Sequence, residues 1–182
     1  HLLQSDLGAF AWISNDEILF GRNGRLWKVS AASGTPAPMP GALGDAGAFS
    51  LSRDRQVIAF LRRGNLWVGN VAAGTERQLT NLPDGLAANV PTFSTDGRWL
   101  TFTATRGGLE PEDLPWNGAL VRPMESANRE RRLGVVAVHG GDVHWVPTVG
   151  AASGAQFAAD GALVYQELSP DGRTREIKTT RI

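Results

Sequence analysis

Phe93-Ser94-Thr95-Asp96-Gly97-Arg98-Trp99-Leu100-Thr101-Phe102 decides the fold. Asp96 and Gly97 stand between two apolar runs. An aspartate side chain bonds its own backbone two residues on, and glycine reaches positive φ at no steric cost. The stretch therefore reads as the end of one strand, a tight turn and a second strand. In Leu100–Phe102, as in Val57–Phe60, apolar groups fall on both faces, as expected where sheets pack face to face.

The same pattern recurs three more times. The copies are Trp12-Ile-Ser-Asn15-Asp-Glu-Ile-Leu-Phe20, Leu51-Ser-Arg-Asp54-Arg-Gln-Val-Ile-Ala-Phe60 and Phe157-Ala-Ala-Asp160-Gly-Ala-Leu-Val-Tyr165. A second pattern follows in register. Asn23-Gly24 precedes Leu26-Trp27, Arg63-Gly64 precedes Leu66-Trp67, and Gly140-Gly141 follows Arg132–Val138. Such pairs between apolar runs signal hairpins. Each unit thus continues into a third strand and a fourth, the fourth strands falling near Thr35–Met39, Glu76–Thr80 and Asp142–Val146.

The anchors Trp12, Leu51, Phe93 and Phe157 lie 39, 42 and 64 residues apart. The first two spacings match one four-stranded propeller blade of roughly 40–45 residues. The third is long because residues 106–128 form an insertion rich in Gly and Pro without a period. The expected architecture is all-β: a β-propeller segment of about four four-stranded blades, the last lacking its own fourth strand. The units run over 5–41, 47–81, 88–147 and 150–182. His1-Leu2-Leu3-Gln4 resembles the fourth strand Arg77-Gln78-Leu79-Thr80, so two arrangements stand. The chain is a piece of a larger propeller, which is the favoured reading, or its first strand closes a four-bladed ring. It begins at His1 rather than Met, which reads as a trimmed terminus.

Composition agrees and narrows function. The 182 residues include 22 Gly, 10 Pro, 6 Trp and 7 Phe, a turn-rich and aromatic mixture suited to many short strands. The 18 basic residues balance 18 acidic ones, which speaks against nucleic-acid binding. No apolar stretch is long enough to span a membrane. Cysteine is absent, so thiolate chemistry is excluded and the compartment, cytoplasmic or periplasmic, stays open.

Candidate chemistry is sparse. No serine lies in a Gly-x-Ser-x-Gly elbow, and Gly150-Ala-Ala-Ser153-Gly154 reads as a loop before a strand. Gly41-Ala-Leu-Gly44-Asp-Ala-Gly47 is not a dinucleotide fingerprint. His139, Asp142 and His144 flank a glycine turn. Their types could hold zinc, but they read as polar rim residues of a hairpin. No metal, cofactor or catalytic residue is therefore expected. Glu110 and Glu112, with Asp113 and Trp116 beside them, are candidate contacts for a substrate amine, because loops carry function on such scaffolds. Arg106 and Arg122 flank the same loop and are candidates for a substrate carboxylate or carbonyl. Arg62-Arg63 reads as a solvated hairpin tip, and Trp27 and Trp67 as packing between blades.

A resemblance sharpens this. Phe93-Ser-Thr-Asp96-Gly-Arg98 resembles the blades of TolB-type translocation proteins and of serine oligopeptidases. Arg122-Pro-Met-Glu-Ser-Ala-Asn128-Arg-Glu-Arg-Arg-Leu133-Gly-Val-Val136, followed by Trp145, Phe157–Gly161 and Glu167–Arg175, looks like bacterial dipeptidyl peptidase IV-like proteins. The likeness covers about residues 47–182. It departs from the family at Arg129, where the family has Pro. Residues 81–90 carry no Glu where that family has a substrate-gripping Glu pair. The resemblance implies a non-catalytic propeller that gates and positions short peptides for a C-terminal α/β-hydrolase domain of the same parent protein. That domain, outside this chain, would carry the serine peptidase triad. The alternative is a TolB-like periplasmic interaction propeller without enzymatic activity.

Overall fold

The computed structural model describes residues 7–23, 25–39, 49–106 and 131–182. Among these residues there are strands and turns but no helix. Blade 1 is the meander β1 (Leu7–Trp12), β2 (Glu17–Arg22), β3 (Arg25–Ser30) and β4 (Pro36–Pro38). Blade 2 repeats it with β5 (Phe49–Leu51), β6 (Val57–Arg62), β7 (Asn65–Asn70) and β8 (Glu76–Gln78). Blade 3 has β9 (Leu86–Phe93), β10 (Trp99–Arg106), β11 (Arg131–Ala137) and β12 (His144–Val146). Among the described residues blade 4 has three strands, β13 (Ala151–Phe157), β14 (Leu163–Leu168) and β15 (Arg175–Thr180). All pairings are antiparallel between chain neighbours. The fold is an all-β propeller segment whose last blade shows three strands among the described residues.

The aspartate turns form as their chemistry requires. Ser94 Oγ donates to Asp96 Oδ1 at 2.6 Å, the Arg98 amide donates to the same oxygen at 3.0 Å, and the Trp99 amide donates to Ser94 Oγ at 2.9 Å. Ser52 and Asp54 reproduce this network. At Asp160 only the carboxylate bond to the Ala162 amide survives, because alanine stands at 158. Gly97 and Gly161 have φ of 71° and 82°. A further copy was hidden in Ser169-Pro-Asp171-Gly-Arg-Thr174, with the same three bonds. It closes the hairpin between β14 and β15 rather than the one after a first strand.

Strand alternation sends side chains to both sheet faces, and the facing sheets of successive blades pack on one another. Leu19, Leu26 and Met39 of blade 1 cluster with Ile58 and Phe60 of blade 2. Ala59, Leu66 and Val68 of blade 2 cluster with Leu100, Phe102 and Val136 of blade 3. Leu133 and Val135 of blade 3 cluster with Ala152, Leu163 and Tyr165 of blade 4. Trp67 packs on the first of these clusters, as expected for an aromatic between blades.

Two local readings need correction. Ala151-Ala152-Ser153-Gly154 is not a loop but the first half of β13, with a register shift between Ser153 and Gln156. Nor is Arg62 a solvated tip residue. Its guanidinium lies 4.8 Å from the Trp67 ring centre and 5.1 Å from that of Phe60. It also donates twice to the Glu76 carboxylate, at 2.5 and 2.9 Å. The strand register puts Phe60, Arg62, Trp67 and Glu76 on one face, so the pair is laid along the apolar side of blade 2.

Candidate functional site

The first strands of blades 3 and 4 share an irregularity. In β9 the register with β10 shifts between Asn89 and Thr92, and in β13 it shifts between Ser153 and Gln156. Both bulges lie just before an anchor aromatic, Phe93 or Phe157. A bulge bends its strand and re-aims side chains, and such features gather beside binding sites. Between the two bulges lies a cleft of about 460 Å³, lined in part by Asn89, Thr103, Thr105, Arg131, Ser153 and Gln156. Pro91 stands inside the β9 bulge, where a missing amide donor costs nothing to the ladder.

Register explains the lining. Thr103 and Thr105 share the face of β10 that looks toward blade 4, and Thr105 is paired with Arg131 across the ladder. Asn89 Nδ2 donates to Thr105 Oγ1 at 3.2 Å and to the Ala87 carbonyl at 3.4 Å. The outer rim of the cleft is therefore the root of the insertion, which leaves the sheet after Arg106 and rejoins it at Arg131. Arg131 is exposed and is the charged side chain among the lining residues. Hydroxyls, amides and one guanidinium suit a ligand with carbonyls or a carboxylate.

Of the residues expected to bind substrate, Arg106 is the one among the described residues, and it does not line this cleft. Arg106 is opposite Leu86 on the other face of β10, and its Nη1 donates to the Asp84 carbonyl at 3.2 Å. It steadies the connection between blades 2 and 3 rather than lining the cleft. Glu110, Glu112 and Arg122 lie outside the described residues, as do Asp113 and Trp116. His139 and His144 do not face each other: His144 is opposite Val135, and its ring sits edge-on to Trp99 at 6.2 Å. Among the described residues no three His, Asp or Glu gather as a metal site.

Sequence reading missed Glu167. Its carboxylate is buried on β14 and faces blade 3 with Leu163 and Tyr165. It accepts the amides of Val149 and, at 2.7 Å, Gly150, and pairs with Lys178 Nζ at 2.7 Å. The Lys178 bond first, and the two amide bonds with it, hold the carboxyl below its ordinary pKa against the opposing effect of burial. Both oxygens are thus committed to fastening the chain where it enters blade 4. Gly150 sits so close that a Cβ there would lie 1.8 Å from the Leu168 carbonyl oxygen. The one signal in sequence was a Glu at an inward strand position, which pairing alone could turn into meaning.

Among the described residues, serine hydroxyls donate to turn aspartates, as at Ser14, Ser52, Ser94 and Ser169. Those hydroxyls serve folding, and none is paired with a histidine as a nucleophile would be.

No protein-family model matches the chain, and no curated protein matches it. Solved structures do. Oligogalacturonate lyase from Vibrio parahaemolyticus is similar with a TM-score of 0.67 and 10% identity, over 93% of this chain and 49% of that one. Dipeptidyl peptidase 4 from Porphyromonas gingivalis is similar with a TM-score of 0.62 and 14% identity, over 96% and 29%. TolB from Acinetobacter baumannii gives a TM-score of 0.56 and 17% identity, over 87% and 35%. The chain spans about half the length of the lyase and less of the other two. At such identities the likeness establishes the propeller fold alone.

Proposed function

We propose that the chain is the non-catalytic propeller of a serine peptidase, which receives short peptides and positions them for a separate α/β-hydrolase domain of the same parent protein. The observation that carries this reading is the cleft between the bulged strands β9 and β13, where hydroxyl and amide side chains stand in a largely apolar wall, with Arg131 at its rim. Peptide carbonyls and a terminal carboxylate match its hydroxyl, amide and guanidinium donors. Arg131, which belongs to the stretch Arg122–Val136 that resembles dipeptidyl peptidase IV-like proteins, stands at this rim. The solved dipeptidyl peptidase 4 shares the fold and supports the same reading. Glu110, Glu112 and Arg122, in the insertion that springs from the rim, remain the proposed contacts for the peptide ends.

Calorimetric titration of the chain with tri- to hexapeptides tests it. Saturable binding is expected, with no hydrolysis of chromogenic peptide anilides. Arg131→Ala should weaken binding about tenfold, the loss of one charge-assisted hydrogen bond. Absence of saturable binding, or binding indifferent to that substitution, would leave the TolB-like interaction propeller as the better account.

A further inference from the structure

The junctions between successive blades are built on equivalent positions. On the face of each blade that looks toward the next, register aligns Glu17, Val57 and Trp99 on the second strand, and Lys28, Val68 and Val135 on the third. Val57 and Val68 pack on the core shared with blade 3, and Trp99 and Val135 on the core shared with blade 4. Blade 1 has charges there instead. Lys28 Nζ donates to Glu17 Oε1 at 2.9 Å, and both side chains are partly exposed. An ion pair this exposed stabilises less than buried apolar side chains would, so stability does not account for the exchange.

Across the junction from this pair stands the turn of blade 2. Arg55 holds a φ of 61° where the turns at Asp96, Asp160 and Asp171 take glycine. A residue kept in the left-handed region against that cost points to a role for its side chain. The guanidinium is exposed and, among the described residues, holds no ion pair. Glu17, Lys28 and Arg55 line one cleft of about 540 Å³ between blades 1 and 2. Asn70 lines it too, and its Oδ1 accepts the Ala73 amide at 2.7 Å, which leaves Nδ2 to donate. Asp54, also in the lining, has its Oδ1 committed to the Ser52 hydroxyl and the Gln56 amide. Ile13, Met39 and Val71, which belong to the apolar cluster of the two blades, supply an apolar wall.

Guanidinium, ammonium and amide donors beside an apolar wall suit one kind of ligand. We propose that this cleft binds a small organic carboxylate with an apolar body. Arg55 takes the carboxylate, with Lys28 and Asn70 as further donors, and the body lies against Ile13, Met39 and Val71. Two sources share this chemistry, an aliphatic acid and a free amino acid with an apolar side chain. The amino acid would also set its ammonium on the second oxygen of Glu17. The site lies at a different junction from the bulged strands β9 and β13, so the inference does not rest on the peptide-binding reading.

Calorimetric titration of the full chain with leucine, isocaproate and isopentylamine is the test. Saturable binding in roughly the millimolar range is expected for at least one of the two carboxylates, and none for the amine. Arg55→Gly should weaken it about tenfold, and so should Arg55→Asn. Glycine and asparagine both tolerate the left-handed backbone, so these variants should fold, as circular dichroism will show. Arg53→Ala, in the same turn but outside the cleft, should bind as the wild type does. Tighter binding of leucine than of isocaproate, a preference lost in Glu17→Gln, identifies the amino acid as the ligand. Equal or weaker binding of leucine identifies the aliphatic acid. No saturable binding of either carboxylate, equally tight binding of the amine, or binding indifferent to Arg55→Gly would overturn the proposal. So would binding lost on Arg131→Ala, which would put the ligand in the other cleft.

Discussion

The aspartate turns of blades 2 to 4 are decided by single residues. The backbone position after the aspartate takes positive φ in three copies through Gly97, Gly161 and Gly172, and in the fourth through Arg55 at 61°. A side chain in that left-handed region costs roughly 1 kcal/mol. Arg55→Gly should therefore raise stability by up to about that amount, less the entropy glycine adds to the unfolded chain. Urea denaturation reads this directly, and an unchanged midpoint would refute the strain. Asp96 makes a pH prediction. The Ser94 hydroxyl first, then the Arg98 amide and guanidinium, lower its pKa from 3.8 to about 2. A lowered folded-state value means that the stabilisation is complete above pH 4 and is lost as pH falls toward 2. Melting temperatures of the wild type and Asp96→Asn should differ at pH 5 and converge near pH 2. The aspartate and glycine of this turn were legible in the sequence. The buried serine hydroxyl was not, because its second bond reaches an amide five residues on and exists only once the hairpin is closed.

At the scale of elements, the face a strand presents matters as much as its existence. Gly134 on β11 lies against the Phe102 ring: a Cβ there would come within 2.6 Å of the ring's Cζ. The ring itself is hemmed in by Trp145, whose centre is 5.9 Å away. Gly134→Ala should destabilise by about 1–3 kcal/mol through overpacking, seen as a lower urea midpoint at unchanged slope. Little or no loss would mean that the ring can move aside. The turn signals placed the hairpins of blades 1 and 2, and fourth strands form within all three expected spans, each only three residues long. The bulges of β9 and β13 were not legible, since the extra residue falls within Asn89–Thr92 and Ser153–Gln156, stretches of mostly small and polar side chains with little apolar alternation to interrupt. The reading of Ser153–Gly154 as loop failed for that reason, and with it the cleft went unseen.

In the whole molecule the repeat is the organising fact, and its consequences divide by the range of the interactions involved. The Asp turns, the apolar runs and the spacing of the anchors are local in sequence. They were enough to determine an all-β propeller segment built of four-stranded blades. Partnerships across blades are another matter. Glu167 became a fastening for the Val149–Gly150 backbone, and Arg106 a brace for Asp84, only when distant strands were brought together. The face of blade 1 that carries Phe10, Trp12, Ile18, Phe20 and Trp27 looks in sequence like the covered face of blade 2, with Trp12 in place of Leu51 and the other four types shared. Which of the two is buried depends on what packs against it, and that is settled by tertiary contact rather than by the strand itself.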